Sequence, residues 1–175
     1  MQLLHAYVDE SARGADYYVC AAITVAHDAV AVRRLARSFL MPRQRRWHFT
    51  EEKTSRRRQI LGGIVESGLV RAHVAHGKGK DVIVRPQCIE HLGRSLLAAG
   101  TERLVIESRE GRDGQDRRVL AAVLRGSRRP FLYEHAPPSQ YEGLWLADAV
   151  AWSFSAGGAW RDAIVPIVDR EFPIA

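Results

Sequence analysis

Two cysteines, Cys20 and Cys88, are all that the chain holds, and neither stands in a spacing that binds metal or cycles between thiol and disulfide. A disulfide-stapled scaffold is therefore excluded, and two buried free thiols in a reducing compartment are expected. Long apolar runs are lacking as well. None approaches the ~20 residues needed to cross a bilayer. The opening Met1-Gln2-Leu3-Leu4-His5 has neither the basic start nor the small-residue cleavage site of a secretory leader. A cytoplasmic location away from membranes is the expectation. Lysine is scarce: only Lys53, Lys78 and Lys80 are present, leaving 23 arginines among 26 basic residues, with a net charge of +6. The planar, permanently charged guanidinium suits phosphate, so a polyanionic partner is one reading. Arginine in place of lysine, beside abundant Ala and Gly, is equally the mark of a GC-rich coding sequence. Disorder is excluded by 46% apolar residues, and 175 residues suffice for a single domain, 1–175, with its own core.

Residues 3–9 are apolar and rich in strand formers, and this strand is expected to stop at Asp9-Glu10-Ser11. Arg13-Gly14-Ala15-Asp16 reads as a turn. Residues 17–26 are a second strand, close enough to pair as an antiparallel hairpin and apolar enough to need cover on both faces. Asp28 caps a helix over about 29–41, which Pro42 ends. Thr50 is a cap for a helix over about 51–67, closed by Gly68. A third strand spans 69–76, then comes a helix clearest over 86–99 and a fourth strand over 102–107. A helix over 116–125, a short strand at 131–134, an apolar helix at 141–155 and a final helix at 163–169 complete the chain. The order predicts an α/β fold: a mixed sheet of about five strands with helices on both faces.

Certain acids fall in apolar surroundings. Asp9 follows Tyr7-Val8, Glu107 ends Leu104-Val105-Ile106, and Asp148 interrupts a helix that is otherwise apolar on every side. At helical spacing Asp148 shares a face with Leu144, Trp145 and Trp152. Burying an unpaired carboxylate costs several kcal/mol or forces it neutral. Three things can offset that: an arginine partner, a retained proton, or a divalent cation shared by several acids. Mg²⁺ or Mn²⁺ takes oxygen ligands and keeps sites for water and phosphate. Two such ions about 4 Å apart would stabilise the attacking and leaving oxygens of a phosphodiester. On an extended strand Asp9 and Glu10 face opposite ways. Asp9 is preferred, with Glu10 in reserve.

Further candidates surround this set. In His48-Phe49-Thr50-Glu51-Glu52 the acids read either as helix-dipole residues or, functionally, with Glu51 as a ligand or His48 as a proton carrier. Asp113 and Asp116 read as a solvated loop that can also ligate, and His135 as a surface histidine or an acid–base group. Arg43, Arg45, Arg46 and Trp47 are either a nucleic-acid contact, with Trp47 stacking a base, or a solvated basic loop around a buried indole. Arg128-Arg129 is a weaker basic run. The helix around Trp145 and Trp152 is apolar enough for an interface between copies, although core packing is its default use.

Tyr7-Val8-Asp9-Glu10-Ser11, followed by an apolar second strand, resembles the opening of the DUF3800 proteins, a group of unknown function. His48-Phe49 leading into a helix is similar to their second landmark, and Leu144-Trp145-Leu146-Ala147-Asp148-Ala149-Val150 looks like their late LQxAD helix with Trp145 in place of Gln. The resemblance runs from Tyr7 to Trp152. It implies a ribonuclease-H-like fold and a metal-dependent phosphoryl-transfer site. By position Asp9 would be the first-strand acid, Glu107 the central-strand acid where Asp is more usual, and Asp148 the late-helix acid. The expected function is a Mg²⁺- or Mn²⁺-dependent nuclease acting on RNA or DNA. The alternative is a nucleic-acid- or protein-binding module that keeps the fold without catalysis.

Overall fold

The structure, a computed structural model, describes residues 2–174. Strands β1 (Leu4–Arg13) and β2 (Asp16–Val25) form an antiparallel hairpin paired residue for residue from Leu4↔Val25 to Arg13↔Asp16. Gly14 sits at the turn with φ 59°, a left-handed conformation that glycine adopts without a Cβ clash. β1 thus does not stop at Asp9. The expectation is corrected because the tight two-residue turn lets every residue through Arg13 find a partner on β2.

Strand β3 (Arg71–Lys78) pairs antiparallel with β2, and β4 (Thr101–Glu107) pairs parallel with β1. β5 (Leu132–Ala136) adds parallel to β4, and β6 (Val168–Pro173) adds parallel to β3. The sheet is mixed and six-stranded, in the order β5-β4-β1-β2-β3-β6. The sixth strand replaces the final helix expected at 163–169. Helix α6 is shorter and earlier (Gly158–Ile164), and a 3-10 turn at Val165–Ile167 leads into β6. β6 lies at the sheet edge with most of its side chains exposed, so it carries little of the apolar alternation by which strands are recognised.

Helices cover both faces. Helices α1 (Ala29–Ser38), α2 (Thr54–Ser67), α5 (Glu142–Ala156) and α6 pack on one side, in a core with Cys20, Trp47, Phe49, Trp145 and Phe154. Helices α3 (Asp81–Ala98) and α4 (Asp113–Leu124) pack on the other, with Val8, Val19, Leu92 and Ile106. Cys20 and Cys88 are free, buried and in different cores. The expected helix from Glu51 is split: a 3-10 turn at Phe49–Glu51 is followed by extended residues, and α2 begins only at Thr54 with Lys53 as its N-cap. α5 is buried on nearly all sides because the sheet, α1 and α6 enclose it. Its approach to β1 is close. A Cβ on Gly143 would lie 2.4 Å from the Tyr7 ring, so only glycine fits there. Among the described residues, no helix is long and apolar enough to cross a membrane.

Candidate active site

Strand parity decides which acids meet. Along β1, Tyr7 and Ser11 touch α5, through Gly143 and Ser155, while Ala6 and Val8 join the opposite core. Asp9 shares the α5 side. The parallel pairing of β1 with β4 runs to Val8↔Ile106, so Asp9 and Glu107 stand side by side just past its end. Asp148 comes down from the middle of α5. Asp9 is 7% exposed, Glu107 half-buried, and the Asp148 side chain 15% exposed. Burial, then Glu107, then Asp148 push the Asp9 carboxyl well above the ordinary carboxylate range, against the opposing charge of Arg109. Among the described residues, the Asp9 side chain accepts one hydrogen bond, from Glu10 N–H at 2.7 Å.

Asp148 is held in place from the side. The Phe49 N–H donates to its Oδ2 at 2.9 Å, and His48 Nδ1 lies 3.2 Å from the same oxygen. That carboxylate raises His48 above the ordinary histidine value against the opposing effect of burial. The 3-10 turn carrying Phe49 therefore delivers His48 to the cluster, as the sequence suggests. Glu51 is on the same turn but exposed, and its side chain makes no hydrogen bond or ion pair among the described residues.

Glu10 faces the other way into a separate charge network. Arg85, 2% exposed, pairs with Glu10 and grips Asp116 through Nε at 3.0 Å and Nη2 at 2.9 Å. Arg109 closes on Glu10 at 2.8 Å, and His135 Nε2 lies 3.0 Å from Asp116. Asp116 is completely buried and His135 nearly so, which corrects the expectation of a solvated loop and a surface histidine. The oxygens and ring nitrogen of Asp113, Asp116 and His135 lie within 4.8 Å of one another, a spacing that would suit a metal ion. Asp9, Glu107 and Asp148 do not form so tight a group among the described residues. Yet both Asp116 oxygens are already bonded to cations or donors, which hold its carboxyl below the usual range. Asp113 accepts from Ser108 Oγ and Arg109 N–H in the turn that precedes α4. The two clusters differ in kind: one is neutralised by arginine, the other is not.

Arg43 and Arg45 are exposed and Arg46 half-exposed on the loop that leads to His48. Trp47 is not available to a base. It is 1% exposed, packs edge-on to Phe39, Phe49 and Trp145, and donates Nε1–H to Ala36 O at 2.8 Å. The apolar core outbids solvent for a large ring on a short loop. Arg128-Arg129 leads into the start of β5, at the end of the sheet away from Asp9 and Glu107. An aromatic–basic cluster does stand near Asp148, one helical turn along α5. There Trp152 lies beneath Arg13 and Arg57. Its signal was the two-residue period of β1, which places Arg13 on the face of Asp9 and Ser11.

No family model matches the chain, and no curated protein matches it by sequence. Among solved structures it is similar to one of the PCNA:RNase HII complex from Archaeoglobus fulgidus, with a TM-score of 0.55 and 15% identity over 87% of this chain and 71% of that one. That likeness decides the fold. The fold is ribonuclease-H-like. A ribonuclease-H-like sheet here carries three carboxylates at the junction of β1, β4 and α5.

Proposed function

We propose that this ribonuclease-H-like chain is a divalent-metal-dependent nuclease that hydrolyses phosphodiester bonds of RNA or DNA at Asp9, Glu107 and Asp148. One observation carries the reading. Glu10 and Asp116, the buried acids of the other face, are neutralised by Arg85, whereas Asp9 is buried against two further carboxylates with no ion-pair partner among the described residues. Such a concentration of negative charge is stabilised by a cation shared among the carboxylates. The donors fit Mg²⁺ or Mn²⁺, since all are hard oxygens, and a looser trio suits a pair of ions better than one tight site. When bound, the ions would supply charge stabilisation to the phosphate and lower the pKa of water. The chain's own residues do the rest. Asp9, the most buried of the three, orients the site; Glu107 and Asp148 flank it. The Phe49 N–H and His48 fix the Asp148 rotamer, and the exposed side of the His48 ring can pass a proton to or from a leaving oxygen.

The ribonuclease in the similar complex and the resemblance of the Asp9 and Asp148 segments to the DUF3800 proteins support the same reading. A nucleic-acid partner follows from it. Fluorophore-labelled RNA and DNA strands incubated with Mg²⁺ or Mn²⁺ test it: cleavage is expected, and Asp9→Asn, Asp148→Asn or EDTA should each abolish it without unfolding the protein. Cleavage that survives Asp9→Asn would sink the assignment. A second reading, a binding module without catalysis, draws on the fact that Asp148 Oδ2 is already engaged. It expects salt-dependent binding indifferent to Asp9→Asn and to EDTA, with no cleavage.

A further inference from the structure

Arginines across the molecule, such as Arg37, Arg71, Arg85 and Arg103, are paired with carboxylates. Three beside the acidic cluster have no carboxylate partner among the described residues: Arg13, Arg57 and Arg58 lie over indole rings instead. The Arg13 and Arg57 guanidinium carbons are 4.9 and 4.3 Å from the Trp152 ring centroid, and that of Arg58 is 6.0 Å from Trp160. The two indoles meet edge-on with centroids 5.4 Å apart. Arg13 is anchored by Ser155 Oγ at 3.2 Å, and Arg57 by the Phe49 and Thr50 carbonyls at 2.9 and 2.6 Å. Each keeps N–H groups to spare. At Trp160 the strip ends in a groove of about 620 Å³ between α2 and α6, lined by Leu61, Val65 and Ala163 and by both Arg58 and Glu66.

The strip is aligned with the carboxylates. Trp152 follows Asp148 by four residues, one turn along the same helix face and about 6 Å of axial rise. We propose that Arg13, Arg57, Trp152, Arg58 and Trp160 form the track for a single-stranded nucleic acid, holding the phosphates next to the one at Asp9 and Asp148 and seating a base in the groove at Trp160. The inference rests on the nuclease reading for which phosphate reaches the carboxylates, but the binding itself does not require catalysis. Phosphates answer the unpaired positive charge. Guanidinium planes and indoles offer flat surfaces on which unstacked bases lie. A duplex hides its base faces and gains only the phosphate contacts, so the single strand is the better fit.

The test uses full-length Asp9→Asn protein, which cannot consume the probe, and fluorescein-labelled 20-nucleotide RNA and DNA strands, each in its own arm, with the matching duplexes. Fluorescence anisotropy across a salt series is the readout. Replacing exposed Arg13 and Arg58 together by Gln should weaken single-strand binding at least tenfold and flatten the salt dependence by about 1.4 in log–log slope, two phosphates at roughly 0.7 each. Arg117→Gln with Arg118→Gln, on exposed positions of α4 across the sheet, should change affinity less than twofold. Loss in either nucleic-acid arm supports the track. Unchanged affinity in both arms, an equal loss from the α4 pair, or duplexes bound as tightly as single strands overturns it. Should wild type fail to cleave while the Arg13/Arg58 variant still loses binding, the nuclease reading falls and the track stands.

Discussion

Asp9 is held in a state that the unfolded chain would not choose. Its folded-state carboxyl titrates well above the ordinary value of 3.8, so the native protein binds that proton more tightly than the unfolded chain does. Native stability is therefore favoured below the ordinary carboxylate range and falls as pH rises from there through the raised value. In EDTA, thermal unfolding of the wild type should shift to lower temperature across that window. Asp9→Asn should remove the Asp9 part of this dependence and stabilise the metal-free protein at neutral pH while abolishing cleavage. An Asn variant less stable than wild type at neutral pH would show that Asp9 serves packing instead of charge. His48 changes stability in the same sense, in a higher pH window. Raised by Asp148, it contributes stability present below the ordinary histidine range and lost as pH rises through its folded value. Its ring titration, followed by NMR, is expected above 6.5, and Asp148→Asn should bring it down.

The helices differ in how tightly each glycine is held. On α2, Gly62 has open space where a Cβ would stand, whereas a Cβ on Gly63 would meet the Phe39 ring at 2.5 Å. Gly62→Ala should therefore stabilise the protein by about 0.5–1 kcal/mol by favouring the helix, and Gly63→Ala should destabilise it by about 1–3 kcal/mol through overpacking. Urea denaturation separates the two, and equal signs would mean that α2 and Phe39 do not pack as described. α5 was readable as a helix from its length and apolar content, and Asp148 stood out within it as the one charge that all sides exclude. β6 and the split before α2 were not readable. The first is an edge strand with exposed side chains, and the second depends on Phe49 and Trp47 being drawn into the core, a pull that local propensity does not register.

Over the whole molecule the buried charges sort into two sets by sheet face. Arg85 ties β1, α3 and α4 together through Glu10 and Asp116. Arg85→Leu leaves Asp116 buried without its arginine and Glu10 with Arg109 alone, and should cost about 3–5 kcal/mol, read as a loss of denaturation midpoint. A cost below 1 kcal/mol would mean that water reaches those acids. On the other face Mg²⁺ or Mn²⁺ should raise the melting temperature of wild type and leave that of Asp9→Asn unmoved, because only a cluster with its charges intact gains from the ion. The sequence alone determined the α/β layering, through strands apolar enough to need cover on both faces. It also determined the parity that separates Asp9 from Glu10, because a strand turns alternate side chains to opposite sides. Only the tertiary structure decided which acids met arginine and which met each other. Ion pairing depends on distances between segments as far apart as Glu10 and Arg85, or Asp9 and Asp148, and such distances are set by how helices cross the sheet.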